Sequence, residues 1–189
     1  MKMRYYTIWY DDEKKTSTRF QSTSLEPLDP EIEVRWQAEW KKEVPDQVVA
    51  SELARIHALT RPYACYLGNS IDEDLSGNYP EEVDFVLDYV AKLERGEVEG
   101  DTFFYHDFVH SLSRTAVTFE HAIFGECYEW PLWSCSLAEY KVALEGWRIF
   151  IALPPHIDNE MIVELPERPL HIEHNVIGPY ICIVDAEQQ

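Results

Sequence analysis

The sequence predicts an α+β fold, with a mainly antiparallel sheet (a meander over 101–135) packed against about three helices. Three observations carry this. Short runs rich in aromatic and β-branched residues recur between turn residues after Gly100. Segments opening at Pro80 and Ser136 carry apolar stripes at helical spacing behind helix-start residues. Strand-like and helix-like segments do not alternate strictly, which argues against a doubly wound parallel sheet. No composition break marks a linker, so a single domain over 1–189 is expected.

Taken in order, Met3–Tyr10 (MRYYTIWY) reads as a first strand, stopped by Asp11 and Asp12, and Thr16–Thr23 alternates well enough to close a hairpin with it. Leu25–Val44 stays open. Ile32, Val34 and Trp36 fit strand periodicity, while Ile32, Trp36 and Trp40 fit a helical one. Pro45 suits a first helical position, and Val49, Leu53, Ile56 and Ala58 follow at helical spacing. Pro62 ends that helix by pushing Arg61 out of the α region. Tyr63–Leu67 (YACYL) reads as a short buried strand and Gly68–Asn78 (GNSIDEDLSGN) as an acidic loop.

Pro80 opens the clearest helix. Glu81, Glu82 and Asp84 sit near its positive end, Val83, Val86, Leu87, Val90 and Leu93 form the stripe, and Gly96 follows its end. Thr102–Val109, Ala116–Phe124 and Cys127–Cys135 then read as strands of the meander, with turns at Ser111–Ser113 and Gly125–Glu126. Ser136 and Glu139 have capping-box spacing and start a helix with Tyr140, Leu144, Trp147 and Ile151 inward, ended by Pro154-Pro155. Met161–Leu165 and Tyr180–Val184 read as further strands.

Thirty-five Asp and Glu against 16 Lys and Arg give a formal charge of −19. That field repels phosphate backbones and anionic lipid, so no nucleic acid and no membrane is expected as partner; a basic protein is. No signal-peptide h-region follows the N-terminus and no apolar run has membrane-spanning length, so a cytoplasmic location is expected. Cys65, Cys127, Cys135 and Cys182 form no C-x-x-C pair and are expected to be reduced.

Signatures of catalysis are missing. The chain contains no G-x-S-x-G elbow and no glycine-rich phosphate loop, and no cofactor is called for. His106 and His110 have the spacing of a helical metal pair, but Phe103, Phe104, Tyr105 and Phe108 favour strand, where residues four apart stand about 13 Å from each other. His171 and His174 fit a metal less well still. A composite site from His106, His110, Glu120 and His121 on neighbouring strands is the alternative reading, a small metal-dependent enzyme. The second alternative is an acidic adaptor module.

The candidate partner surface is Asp72, Glu73, Asp74, Tyr79, Glu81 and Glu82, acids around an aromatic anchor. Such charges set encounter rate and register, while the aromatic supplies contact energy. Glu94–Asp101 is as acidic but lacks an aromatic.

The stretch Thr115–Leu153, TAVTFEHAIFGECYEWPLWSCSLAEYKVALEGWRIFIAL, leads from strands into a Ser-capped helix carrying Leu137, Tyr140, Ala143, Leu144, Trp147 and Phe150. It resembles the C-terminal part of small acidic immunity proteins of bacterial polymorphic and contact-dependent toxin systems, and RYYTIWYDD is similar in style to their opening strand. The resemblance implies inhibition by occlusion, with a cognate toxin as partner. A basic, nuclease-like toxin domain suits the charge. It carries over no toxin-contacting residue, because its matching positions are core positions.

Overall fold

The computed structural model describes residues 2–6, 24–26, 38, 42, 63–75, 80–127, 130–154, 159–166, 170–172 and 183–185. Strands β1 (Lys2–Tyr6) and β2 (Ser24–Glu26) precede two wide-turn helical segments, Tyr63–Gly68 and Ser70–Asp74. Helix α1 (Pro80–Glu94) follows, then β3 (Gly100–Phe104), β4 (Phe108–Ser113), β5 (Ala116–His121) and β6 (Trp133–Ser136). Helix α2 (Leu137–Ile151) leads to β7 (Glu160–Glu164), β8 (Leu170–Ile172) and β9 (Ile183–Asp185). The architecture is α+β, as the sequence predicts.

Helix α2 organises the molecule. Ser136 caps it as expected, its hydroxyl accepting from Glu139 N–H at 3.1 Å while the Glu139 carboxylate accepts from Ser136 N–H at 2.7 Å. Glu139 is buried, and its other oxygen takes the Tyr63 hydroxyl at 2.6 Å. One flank of α2 meets the four-stranded sheet β3-β4-β5-β6, and another meets the sheet β2-β1-β7. Gly146 permits the second contact, since a Cβ there would lie 2.7 Å from Val163 Cγ1 and 2.8 Å from Tyr5 Cε2. Trp147 stacks on Phe150 beside Tyr5 and donates from Nε1 to Leu75 O at 2.6 Å, tying α2 to the wide-turn segment. Helix α1 lies antiparallel on α2, clamped by Arg148–Asp84 at 2.6 Å and Lys141–Glu94 at 2.7 Å.

All pairings in the meander are antiparallel. Phe108, His110, Leu112, Val117, Phe119, Trp133 and Cys135 fill its inner face. A row of hydroxyls, Thr102, Ser111, Thr118 and Ser134, runs across the outer face in register. This is the period-two alternation of a sheet with one wet side.

Five expectations need correction. Tyr63–Leu67 is not a strand and Ser70–Asp74 is not loop: both are helical, with Leu75 N–H donating to Ser70 O five residues back. Tyr63, Leu67, Ile71 and Leu75 are all buried at steps of four, a helical period that a short aromatic run conceals. Thr102–Val109 is two strands, because Tyr105 N–H donates to Phe108 O at 3.1 Å and reverses the chain over His106 and Asp107. Ser111–Ser113 belongs to β4 rather than to a turn, and the last meander strand starts at Trp133 rather than Cys127. The expected hairpin strand Thr16–Thr23, the helix over 45–60 and the open segment after 26, apart from residues 38 and 42, lie outside the described residues.

Candidate functional site

The reversal at Tyr105–Asp107 is held from a distance in sequence. Asp74, buried at the end of the second wide-turn segment, accepts Asp107 N–H at 2.8 Å on one oxygen and Phe108 N–H at 3.1 Å on the other. Its second oxygen also lies 3.5 Å from His110 Nε2, too far for a good hydrogen bond. His110 Nδ1 lies 3.0 Å from the Tyr140 hydroxyl. Burial raises the Tyr140 pKa well above the ordinary phenol value, so the phenol stays protonated; with the Asp74 carboxylate beside Nε2, the tautomer assigned is the one in which Tyr140 donates to Nδ1. The ring proton is then on Nε2, facing Asp74. Burial lowers the His110 pKa, against the opposing pull of Asp74, and the ring is neutral at pH 7. This unit is closed to solvent: the side chains of Asp74 and His110 are both 0% exposed. It braces the hairpin and offers no surface for catalysis.

The end of the meander above that brace is where the exposed chemistry collects. The hairpin tip, the C-terminal end of β5, the N-terminal end of β6 and the first turn of α1 all lie there. Five of the seven exposed large apolar side chains among the described residues are at this end: Phe85, Phe104, Ile123, Phe124 and Leu132. A clustered apolar surface of this kind marks an interaction site more often than scattered exposed residues do. Between α1 and the tip lies an open cleft of about 290 Å³ lined by Glu81, Glu82, Phe85, Phe103, Phe104 and Tyr105. Phe103 is one of its lining rings, with Phe85 and Tyr89 set nearly perpendicular to it at 5.9 and 5.2 Å.

The acids of α1 divide along its length. Asp84, Asp88 and Glu94 are each held by a cation, at 2.6 to 2.7 Å. Glu81 and Glu82, exposed on the cleft, have no cation beside them among the described residues. The positive helix terminus accounts for acids in a first turn, but not for their standing against four aromatic rings. Glu82 and Asp74 add to burial in raising the Tyr105 pKa, so Tyr105 stays a neutral hydroxyl. The His106 pKa is raised by its hydrogen bond to Asp107, and Glu73 stands close to the tip because its chain neighbour Asp74 holds Asp107 N–H. Lys92, Arg95, Arg114 and Lys141 lie toward the opposite end and are paired with Asp88, Glu97, Glu99 and Glu94.

The predicted acidic surface is therefore partly assembled. Glu73, Glu81 and Glu82 are exposed around the hairpin tip, and Asp72 is half-buried nearby in sequence. Asp74 turns inward and braces the tip instead of facing a partner. Tyr79 lies outside the described residues. The aromatic anchors that stand among these acids are Phe85, Phe103, Phe104 and Tyr105, which were read only as strand formers or not at all. Their signal was present: two Phe in succession on a strand put one on the wet face.

The composite histidine site is not assembled. His106 is exposed at the tip, His110 is sealed in the core, Glu120 points outward and His121 packs on Phe124 and Trp130. Among the described residues no group of three or more His, Cys, Asp and Glu is placed to hold a metal. Cys65 and Cys127 are free thiols, and Cys135 is buried in the inner face of the meander. No helix among the described residues is long and apolar enough to cross a membrane. No protein family, curated protein or solved structure matches this chain.

Proposed function

We propose that the protein is an inhibitor of the immunity type, which binds a basic toxin domain and occludes it with the acidic, aromatic end of its meander. The observation that carries this reading is the coincidence of exposed Phe85, Phe104, Ile123 and Phe124 with exposed Glu73, Glu81 and Glu82 at one end of the sheet. Apolar side chains there supply contact energy. Carboxylates with no cation beside them among the described residues, and a net charge of −19, steer a basic partner to the same place. The sequence resemblance over Thr115–Leu153 names the class of partner.

The reading is tested by capture from native lysate at low salt, identification of the captured protein, and expression of that protein in cells with and without this chain. Restored growth and inhibition of the purified activity at equimolar protein are expected. A captured partner that stays fully active under saturating amounts of this protein would overturn the inhibitor function.

A further inference from the structure

We infer that the cleft between α1 and the β3–β4 hairpin is a seat for an arginine side chain, presented by the basic partner proposed above. The partner's identity rests on that reading; the cleft's chemical selectivity does not. Its walls are the rings of Phe85, Phe103, Phe104 and Tyr105, and its polar lining includes the carboxylates of Glu81 and Glu82. At about 290 Å³ it lies at the small end of ligand pockets, which run from roughly 300 Å³ upward, and suits one long side chain rather than a cofactor.

The combination selects among side chains. A plain apolar groove would take leucine or phenylalanine, but here an apolar group would be buried beside two carboxylates that have no cation among the described residues. A carboxylate ligand would be repelled. A lysine ammonium is a compact, strongly hydrated charge that gives up water reluctantly among rings. A guanidinium is planar and weakly hydrated, stacks on aromatic faces and offers a fork of donors to a carboxylate. Its methylene stem packs on the remaining ring surface. Among the described residues no lysine or arginine lines the cleft, whereas the three acids farther along α1 each have one. The absent counter-charge is the one an incoming arginine brings.

The test is an NMR titration of the full chain with Nα-acetyl-L-argininamide. Nα-acetyl-L-citrullinamide, which keeps the shape and loses the charge, and Nα-acetyl-L-leucinamide are the comparisons. Argininamide is expected to shift the amides of Glu82, Phe103, Phe104 and Tyr105 and to bind about three- to tenfold more tightly than citrullinamide. Changing Glu81→Gln together with Glu82→Gln should remove most of that difference while leaving the weak citrullinamide binding unchanged. Equal binding of argininamide and citrullinamide, tighter binding of leucinamide, or no shift at these four amides would each overturn the inference. An unresponsive cleft in a protein that still inhibits its captured partner would sink this inference alone. An arginine-selective cleft in a protein that inhibits nothing would sink the inhibitor reading alone.

Discussion

His110 sits where Tyr105, Phe119 and Tyr140 surround its ring and Asp74 approaches its far nitrogen. Its folded pKa is depressed by burial from an ordinary value of 6.5. The unfolded chain therefore binds a proton on this ring at a pH where the folded chain does not, and stability falls as pH drops below about 6.5. Urea midpoints measured at about pH 7.5 and about pH 5.5 should decline toward acid in the native chain and decline less in His110→Phe. A variant with the same slope as the native chain would remove His110 as the cause. Gly146 offers a second test, because two effects oppose there. Alanine is the better helix former by about 1 kcal/mol. Its methyl, however, would meet a stiff Val163 and a Tyr5 ring fixed by its hydroxyl bond to Ala143 O at 2.7 Å. Overpacking of that kind costs about 1–3 kcal/mol, so Gly146→Ala should be destabilising on balance, read as a lower urea midpoint.

The hairpin tip shows how elements far apart in sequence complete each other. Asp74→Ala removes the acceptor of two backbone donors that remain enclosed, at a cost of about 1–3 kcal/mol. Hydrogen exchange at Asp107 and Phe108 should speed up well beyond that at Val117 and Phe119, which sit in the centre of the sheet. Equal acceleration at all four would mean that Asp74 supports the whole domain rather than the tip. This brace also marks the limit of what could be read from sequence. Helices α1 and α2 were legible because their signals, a proline start, a capping box and a period of 3.6, are local. The meander was legible in kind, but its first turn was not. His106 and Asp107 carry no glycine or asparagine to announce a reversal, and what fixes them is a carboxylate about thirty residues upstream. The site was legible by half for the same reason: charge can be counted along a chain, whereas the cleft exists only once α1 packs beside the tip.

At the scale of the molecule, the acids without a cation and the ion pairs separate among the described residues. Lys2, Arg4, Lys92, Arg95, Arg114, Lys141 and Arg148 sit in pairs with carboxylates, mostly at half-exposed positions where each pair contributes little to stability. Their effect is on the distribution of field: the paired end is locally balanced and the meander tip is not. Reversing Glu73, Glu81 and Glu82 to Lys should slow association with the captured partner by about tenfold or more at low salt, and the difference should shrink as salt is raised. Neutralising Glu97 and Glu99 at the opposite end should leave the rate near that of the native chain; equal slowing by both would mean that only net charge matters. The pairing of β1 with β7 has a different consequence. Lys2 lies opposite Glu164, and β1 is the central strand of its sheet. During synthesis β1 can pair with β2 on one edge early, while its other edge waits for β7, which follows α1, the meander and α2. The meander and the α1–α2 pair can assemble from neighbours in sequence, so β1 docking is the step set by chain closure. During synthesis, Met3 and Tyr5 are left as an open edge that a nascent-chain chaperone would be suited to cover.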